Sequence, residues 1–452
     1  MTLAGTLGAF VAGLEVGRVP PEVVEKARTC LLNGYGIALG SHPTPFAPVA
    51  RRAALAMDGE CGAGGATLLG DGRRSTVAGA AFANAALFHG RAQEDTCGAA
   101  HFGTIVIPLL TAMVEARGLP PARMLPALIA GYEVAGLLES TFGPKTTPAG
   151  LRASPLYGTL AAAAASAHLL GLDAQRCASA LANAASFTGG ILQSFSDGTD
   201  EWRYQVGVAA RTGLAATALA GAGSRSAPGA FEGPAGFVRA FARADCDVGS
   251  LERRLGTEWS VLRVTFKPFP VCAFNQTPVT AALSLRDRLG GRAPARVSVR
   301  MNPFETGYAG MDAKGPFDSI SGTLMSIPFC IALTLLRGTP GMAQMTTYDD
   351  AQVNALARRI ELVPDEGVAR LCCVIEAETD EGERLVQDQR MSTDDFAYDR
   401  AAVSSLVRRI GAETGVPAAA YERIEAFVED PARAGIGAVL EAFAALPRPA
   451  PA

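Results

Sequence analysis

Apolar residues recur at helical spacing through the first 260 positions of the chain. Pro20-Pro21-Glu22 opens one such run, as proline suits a first turn, and Val24, Ala27, Cys30, Leu31 and Tyr35 then follow at that spacing. The same period predicts helices over 76–88, 103–116, 121–138, 158–170, 173–186 and 203–220, with Gly, Pro and Asp marking the breaks. Residues 159–167 are apolar nearly all round, which suits a central helix packed closely through alanine faces. Together these runs predict one large all-helical domain.

The pattern changes near Trp259. Residues 260–266 alternate and are rich in β-branched side chains, 295–301 alternate cleanly, and 371–377 are a third strand candidate. Helical spacing over 277–289 and 323–336 lies between them. Strands interleaved with helices predict a small α+β domain with one helical layer. Helical spacing resumes after Asp399 and runs to Leu446. The expected organisation is therefore mainly α: a large all-helical domain of residues 1–260 with 400–452, plus a smaller α+β domain of residues 261–399. The Pro/Ala tail at 447–452 is expected to fray.

Composition narrows the classes. Of 452 residues, 49% are hydrophobic and 19% charged, which excludes a disordered or fibrous chain. Forty basic against 44 acidic side chains leave a net charge of −4, which argues against nucleic acid or an anionic membrane as partner and leaves a small anionic substrate open. Lysine occurs only at positions 26, 145, 267 and 314, so each one is worth inspecting where arginine is the easy substitute. Nine cysteines without a CxxC pair suggest neither a disulfide framework nor a zinc ribbon. The N-terminal stretch lacks a basic signal region, and the apolar stretch 158–172 is broken by Ser166 and His168, so a cytoplasmic protein is expected. No GxGxxG after a strand, P-loop, HExxH or GxSxG is present, so nothing supports a nucleotide cofactor, a zinc hydrolase or a hydrolase triad.

Four polar islands remain. His89 to Gly103 joins two apolar helices, and His101, just ahead of a helix start, suits proton transfer at neutral pH; the plainer alternative is a helix-capping histidine with Glu94 and Asp95 facing solvent. Gly150 to Gly158 reads as a loop into a buried helix, where Arg152 offers a carboxylate fork beside Ser154 and Tyr157 offers a proton, or else Arg152 is solvated and Tyr157 is core. Ser196 to Gly207 is a turn at Asp197-Gly198 followed by a helix start, a natural anion site that includes Trp202, Arg203 and Gln205, or simply a capped helix. Phe266 to Gln276 fixes Lys267 beside a Pro-Phe-Pro segment that leads to Cys272.

The order and spacing of these segments, with His89 to Asp95, His101-Phe102-Gly103-Thr104, Gly158 to Gly171, Ser196-Asp197-Gly198 to Gly207, Phe266 to Pro270 and Ser326 to Phe329, resemble the MmgE/PrpD family. Its members include 2-methylcitrate dehydratase, cis-aconitate decarboxylase and iminodisuccinate epimerase. The resemblance implies a large helical domain with a smaller α+β lid, an active site between them, and a homodimer working without metal or cofactor. His101, Lys267 and Arg203 match the family pattern. The chain departs from it at Ala92, where an aspartate is usual, and at Arg152, where a histidine is usual. It also has Trp202 near a common lysine position, no histidine close to Gln205, and Cys272 near a histidine used by decarboxylases.

The shared chemistry of such enzymes is abstraction of a proton next to a carboxylate or imine, with cationic side chains steadying the enolate-like intermediate. The expectation is that this chain keeps that step on another substrate, as an isomerase, epimerase, cyclase or lyase of a biosynthetic pathway. His101 or Tyr157 would move the proton, with Lys267 and Asp95 as further catalytic candidates. Arg152, Arg203, Trp202, Gln205, Cys272 and Ser154 would bind substrate, and the indole suggests a more apolar substrate than citrate. The rival readings are an ordinary 2-methylcitrate dehydratase-like lyase and a catalytically inactive binding subunit.

Overall fold

A computed structural model of the chain describes residues 2–447; most of the Pro/Ala tail, 448–452, lies outside the described residues. The protein is mainly α, with a small mixed sheet. The chain divides into two compact units. One holds residues 2–191, 203–266 and 398–447, and the other holds 192–202 and 267–397.

In the first unit the helices fall where apolar spacing and caps put them. Pro21–Gly40 starts on proline, Val77–Phe88 is capped by the Thr76 hydroxyl accepting the Gly79 N–H, and Ala174–Phe187 is capped by Asp173 accepting the Arg176 N–H. Ala153–Leu170 is the central helix, buried on nearly every face, including the five alanines at 161–165. Its neighbours come close because they present glycine. A Cβ on Gly131 of Met124–Thr146 would meet Ala161 O at 2.9 Å, and one on Gly213 of Glu201–Gly221 would meet Thr159 O at 2.7 Å. Helices Arg400–Thr414, Ala418–Glu429 and Pro431–Ala444 return to this unit.

Three expectations of local structure are corrected. Residues 260–266 are not a strand. The buried Glu133 carboxylate accepts the N–H groups of Ser260 (2.7 Å) and Gly256 (2.8 Å), curling the segment into the 3₁₀ turn Ser260–Arg263 and leaving one bridge, Thr96 to Thr265. The central helix begins at Ala153 rather than Gly158, because Pro155 sits in the first turn, where its missing N–H costs nothing. The run 323–336 is broken into Ile320–Met325 and Ile327–Arg337, since the Ser326 hydroxyl caps the second helix by accepting the Phe329 N–H.

The second unit is built on a four-stranded sheet in the order Ile360–Pro364, Arg296–Met301, Cys372–Glu378, Arg384–Arg390; the first pair is parallel and the others antiparallel. Val297, Val299, Met301, Cys373, Ile375 and Ala377 form its buried face. The helices Gln276–Leu289 and Ile327–Arg337 pack together and against the strands as one layer. Arg384–Arg390 is an edge strand, and Arg288 donates to its Val386 carbonyl at 2.7 Å, closing off one acceptor.

Glu305, on the short helix after strand Arg296–Met301, is 0% exposed. Its Oε1 accepts the N–H of Leu371, a residue held at φ 60°, and Oε2 has no hydrogen-bond partner among the described residues. Burial pushes its carboxyl up to about 7, against the opposing pull of the Leu371 N–H and Arg370. The folded protein therefore holds that proton more tightly than the unfolded chain, and the stability it confers is complete below about 4.5 and falls as pH rises through 7. Glu305→Gln, an isostere of the protonated acid, is expected to stabilise the protein at pH 8 by up to roughly 3 kcal/mol and to have no effect at pH 4.5, as read from urea unfolding. Gly213→Ala is expected to cost about 1–3 kcal/mol and lower the melting temperature by a few degrees in calorimetry, because the new methyl meets the Ala162 Cβ and the backbone of Thr159 and Ala163, none of which can swing aside.

Candidate active site

Helix Val77–Phe88 ends at His89, and the loop that follows re-enters helix Gly103–Arg117. Most of the loop is buried, so its conformation is imposed by side chains rather than by water. Arg203, 0% exposed, donates from Nη1 to the carbonyls of His89 and Gly90 at 2.8 Å each and lays its guanidinium 3.8 Å over the Phe46 ring. Arg91 donates to Gln93 Oε1 (3.0 Å) and to Glu413 Oε2 (2.7 Å), tying the loop to helix Arg400–Thr414. Ala92 turns the chain at φ 56°, the left-handed region that costs an alanine roughly 1 kcal/mol and that Asp tolerates better. An aspartate is the residue the family resemblance puts at this position.

The loop brings two histidines together, ring centroids 5.5 Å apart. Arg152 Nη2 donates to His89 Nε2 at 2.7 Å, so the His89 proton sits on Nδ1, 3.1 Å from Glu94 Oε2. The other oxygen of Glu94 lies 3.6 Å from His101 Nδ1. That nitrogen also lies 2.8 Å from the Asp95 carbonyl, which can only accept, so Nδ1 carries the proton and Nε2 is the lone-pair nitrogen of His101. The two rings differ in burial. Burial, with Arg152 and Arg203 adding to it, pulls His89 down to about 4, keeping it neutral. The His101 side chain is 17% exposed and faces the Glu94 carboxylate.

Ser154, Gln205 and Asp95 lie around that pair. The Ser154 hydroxyl accepts the His101 backbone N–H at 3.2 Å, and Arg152 Nη1 donates to Gln205 Oε1 at 3.2 Å, with Gln205 Nε2 on the Ile191 carbonyl. The Asp95 carboxylate turns inward and accepts from the Tyr132 hydroxyl. Tyr157 stands apart from this group. It is 0% exposed, its hydroxyl pairs with Thr146 Oγ1 at 2.9 Å, its ring packs edge-on to Phe237, and burial pushes its phenol well up. Glu94 and Asp95 are buried rather than solvent-facing. His89 and Glu94 lie outside the set expected from sequence, and the signal for them was their place in the same polar island as His101.

The second unit carries Lys267, Cys272 and Trp202. The loop after Lys267 is held by one side chain: Gln276 accepts the Phe269 N–H and donates to the carbonyls of Phe269 (3.1 Å) and Val271 (3.0 Å). The Cys272 N–H donates to Leu324 O at 3.0 Å. Burial pushes the Cys272 thiol up, although the N–H groups of Phe274 and Ala273 and the charge of Lys267 pull the other way. Trp202 is buried, donates its indole N–H to Ser321 Oγ at 2.9 Å and packs on Phe195, which in turn touches Tyr308. The indole is thus engaged in the packing of its own unit.

Among the described residues, no three His, Cys, Asp or Glu side chains cluster as metal ligands, all nine cysteines are free, and no helix is long and apolar enough to cross a membrane. Residues 5–247 match the MmgE/PrpD N-terminal domain and residues 269–398 the MmgE/PrpD C-terminal domain. The chain is similar to cis-aconitate decarboxylase of Aspergillus terreus, at 24% identity over 377 residues covering 78% of this chain and 76% of that protein. It is also similar to human cis-aconitate decarboxylase, at 28% identity over 297 residues covering 64% and 60% of the two chains. A cis-aconitate decarboxylase-like protein of Aspergillus oryzae is 28% identical over 275 residues, 57% and 56% of the two chains. With both domains matched in order, the chain belongs to the MmgE/PrpD family.

Proposed function

We propose that this protein is a cofactor-independent lyase-type enzyme acting on a small carboxylate-bearing molecule, with His101 as the group that moves the proton. Its family membership and its likeness to cis-aconitate decarboxylases support the lyase class. The observation that carries the residue assignment is the pairing of His101 Nδ1 with the Asp95 carbonyl, which leaves Nε2 as the base.

In this reading His101 Nε2 takes a proton from the carbon next to a carboxylate or imine, and Glu94 offsets the positive charge that develops on the ring. The electron pair left behind forms an enolate-like intermediate. Expulsion of a leaving group, with its bonding electron pair, from the neighbouring carbon completes an elimination; in a decarboxylation the departing carbon dioxide leaves its pair on carbon, and protonated His101 supplies the proton that takes up that pair. Return of the proton to the other face would give the finer outcome expected from sequence, an isomerase or epimerase. Arg152 holds His89 in its Nδ1–H form and adds positive charge, and Arg203 supports the loop from behind. Lys267, on its braced loop in the second unit, is proposed as a carboxylate-binding cation, with Cys272 beside it as a secondary candidate. Tyr157, Ser154 and Trp202 are assigned to packing and positioning. The nine free thiols favour a reducing compartment. A homodimer, which the resemblance implies, is checked by light scattering.

The test is proton NMR in D2O with cis-aconitate, 2-methylcitrate and carboxylated imines. Loss of water or carbon dioxide establishes the lyase, and turnover of 2-methylcitrate in particular identifies an ordinary dehydratase. Deuterium entering beside a carboxylate without such loss establishes the isomerase. No reaction with any of these substrates favours the inactive subunit and defeats the proposal. His101→Asn is expected to lower the rate by about 10²-fold or more, and an unchanged rate would remove His101 from its role. Lys267→Ala is expected to raise KM for the carboxylate substrate by about tenfold or more, measured in the same assay.

A further inference from the structure

Behind the loop lies a buried polar group that the proposed chemistry leaves unused. Helix Met124–Thr146 presents Tyr132, 0% exposed, whose hydroxyl donates to Asp95 Oδ2. Its ring is held edge-on against Phe102 at 5.6 Å, so the hydroxyl has little freedom of its own. Helix Pro21–Gly40 adds Cys30, whose thiol contacts the Tyr132 hydroxyl, and Lys26 one turn earlier. The close fit depends on Gly103, where a Cβ would stand 2.5 Å from Asp95 Oδ1 and 2.9 Å from the Tyr132 hydroxyl. One residue, Asp95, is thus gripped from below through its carboxylate, while its backbone carbonyl accepts from His101 Nδ1 at 2.8 Å.

We propose that Tyr132 is a positioning residue of the active site: by holding the Asp95 carboxylate beneath the loop, it keeps the Asp95 carbonyl against His101 Nδ1 and so presents Nε2 as the lone-pair nitrogen. The inference rests on the reading of His101 as the base. The charged and titratable groups facing Asp95 include Tyr132, Cys30, Lys26 and Cys97, and those facing His101 include Glu94 and His89. Removing the Tyr132 hydroxyl takes one donor from a buried carboxylate, which favours its protonation. Loss of that negative charge, and a looser carbonyl contact, both make the His101 imidazolium less stable. The two effects have the same sign.

The experiment follows the histidine ring signals by NMR as pH is varied, in protein labelled at histidine Cε1, with His101→Asn assigning the resonance. In Tyr132→Phe, which keeps the ring, the His101 midpoint is expected to move down by about one pH unit, and the acid limb of the rate profile should move with it. His89 should stay untitrated above about pH 5 in both proteins, showing that the pocket is intact. Gly103→Ala, which drives a methyl between Asp95 and Tyr132, is expected to shift His101 in the same direction and serves if the first variant does not fold. A folded variant with an unmoved His101 midpoint overturns the proposal. The titration reads the positioning role without any substrate, so an inactive wild-type protein would defeat the functional reading and leave this test standing.

Discussion

Two backbone carbonyls hang on one buried guanidinium. Arg203 sits at 0% exposure, and a charge in that position is tolerated only where acceptors and a polarisable face meet it; the carbonyls of His89 and Gly90 and the ring of Phe46 supply them. The constraint runs both ways. The arginine needs those carbonyls, and the chain leaving helix Val77–Phe88 must turn where they can reach it. The turn in turn sets the directions of His89 and Glu94, and Arg91 fastens the next residues to helix Arg400–Thr414. The left-handed backbone at Ala92 is the local strain left by this arrangement, and neighbouring contacts outweigh it.

The two histidines show how environment separates identical side chains. His89 is sealed in, accepts from Arg152 and is held near a pKa of about 4, so it carries tautomer information rather than charge. His101, a turn of loop later, is partly open and leans on a carbonyl and a carboxylate. Glu94 lies between them with one oxygen toward each ring. In the proposed reading the work divides along that difference: His89 orients and His101 exchanges protons.

Such placement needs a stiff scaffold. In the first unit it comes from small residues: alanine and glycine along Ala153–Leu170 and its neighbours let backbones approach until little free volume remains. In the second unit it comes from amide bracing. Gln276 holds the carbonyls of the loop after Lys267, and Asn275 donates to the carbonyls of Leu324 and Met325. Pro268 and Pro270 remove N–H groups that such a loop would otherwise have to satisfy.

Much of the helical unit was legible in the sequence, because a 3.6-residue period, a capping Thr76 or Asp173 and a proline at a first turn act within a few residues of chain. The strands at 296–301 and 372–378 were legible for the same reason, since their inward faces alternate. The edge strands Ile360–Pro364 and Arg384–Arg390 were not, because much of their side-chain surface meets water and their pairing is decided by the neighbouring strand's register. The segment 260–266 carried a strand's pattern and lost it to Glu133, a side chain more than 120 residues away. The site divides along the same line. Sequence alone determined that His101, Arg152 and Lys267 stand in polar islands of an otherwise apolar chain. Only the tertiary structure decided that Arg203 clamps the loop, that Tyr157 lies in the core, that Trp202 packs within its own unit, and that Glu94 separates the histidines. Those outcomes depend on burial and on partners brought from distant parts of the chain, and a polar residue's role follows from what it is buried against.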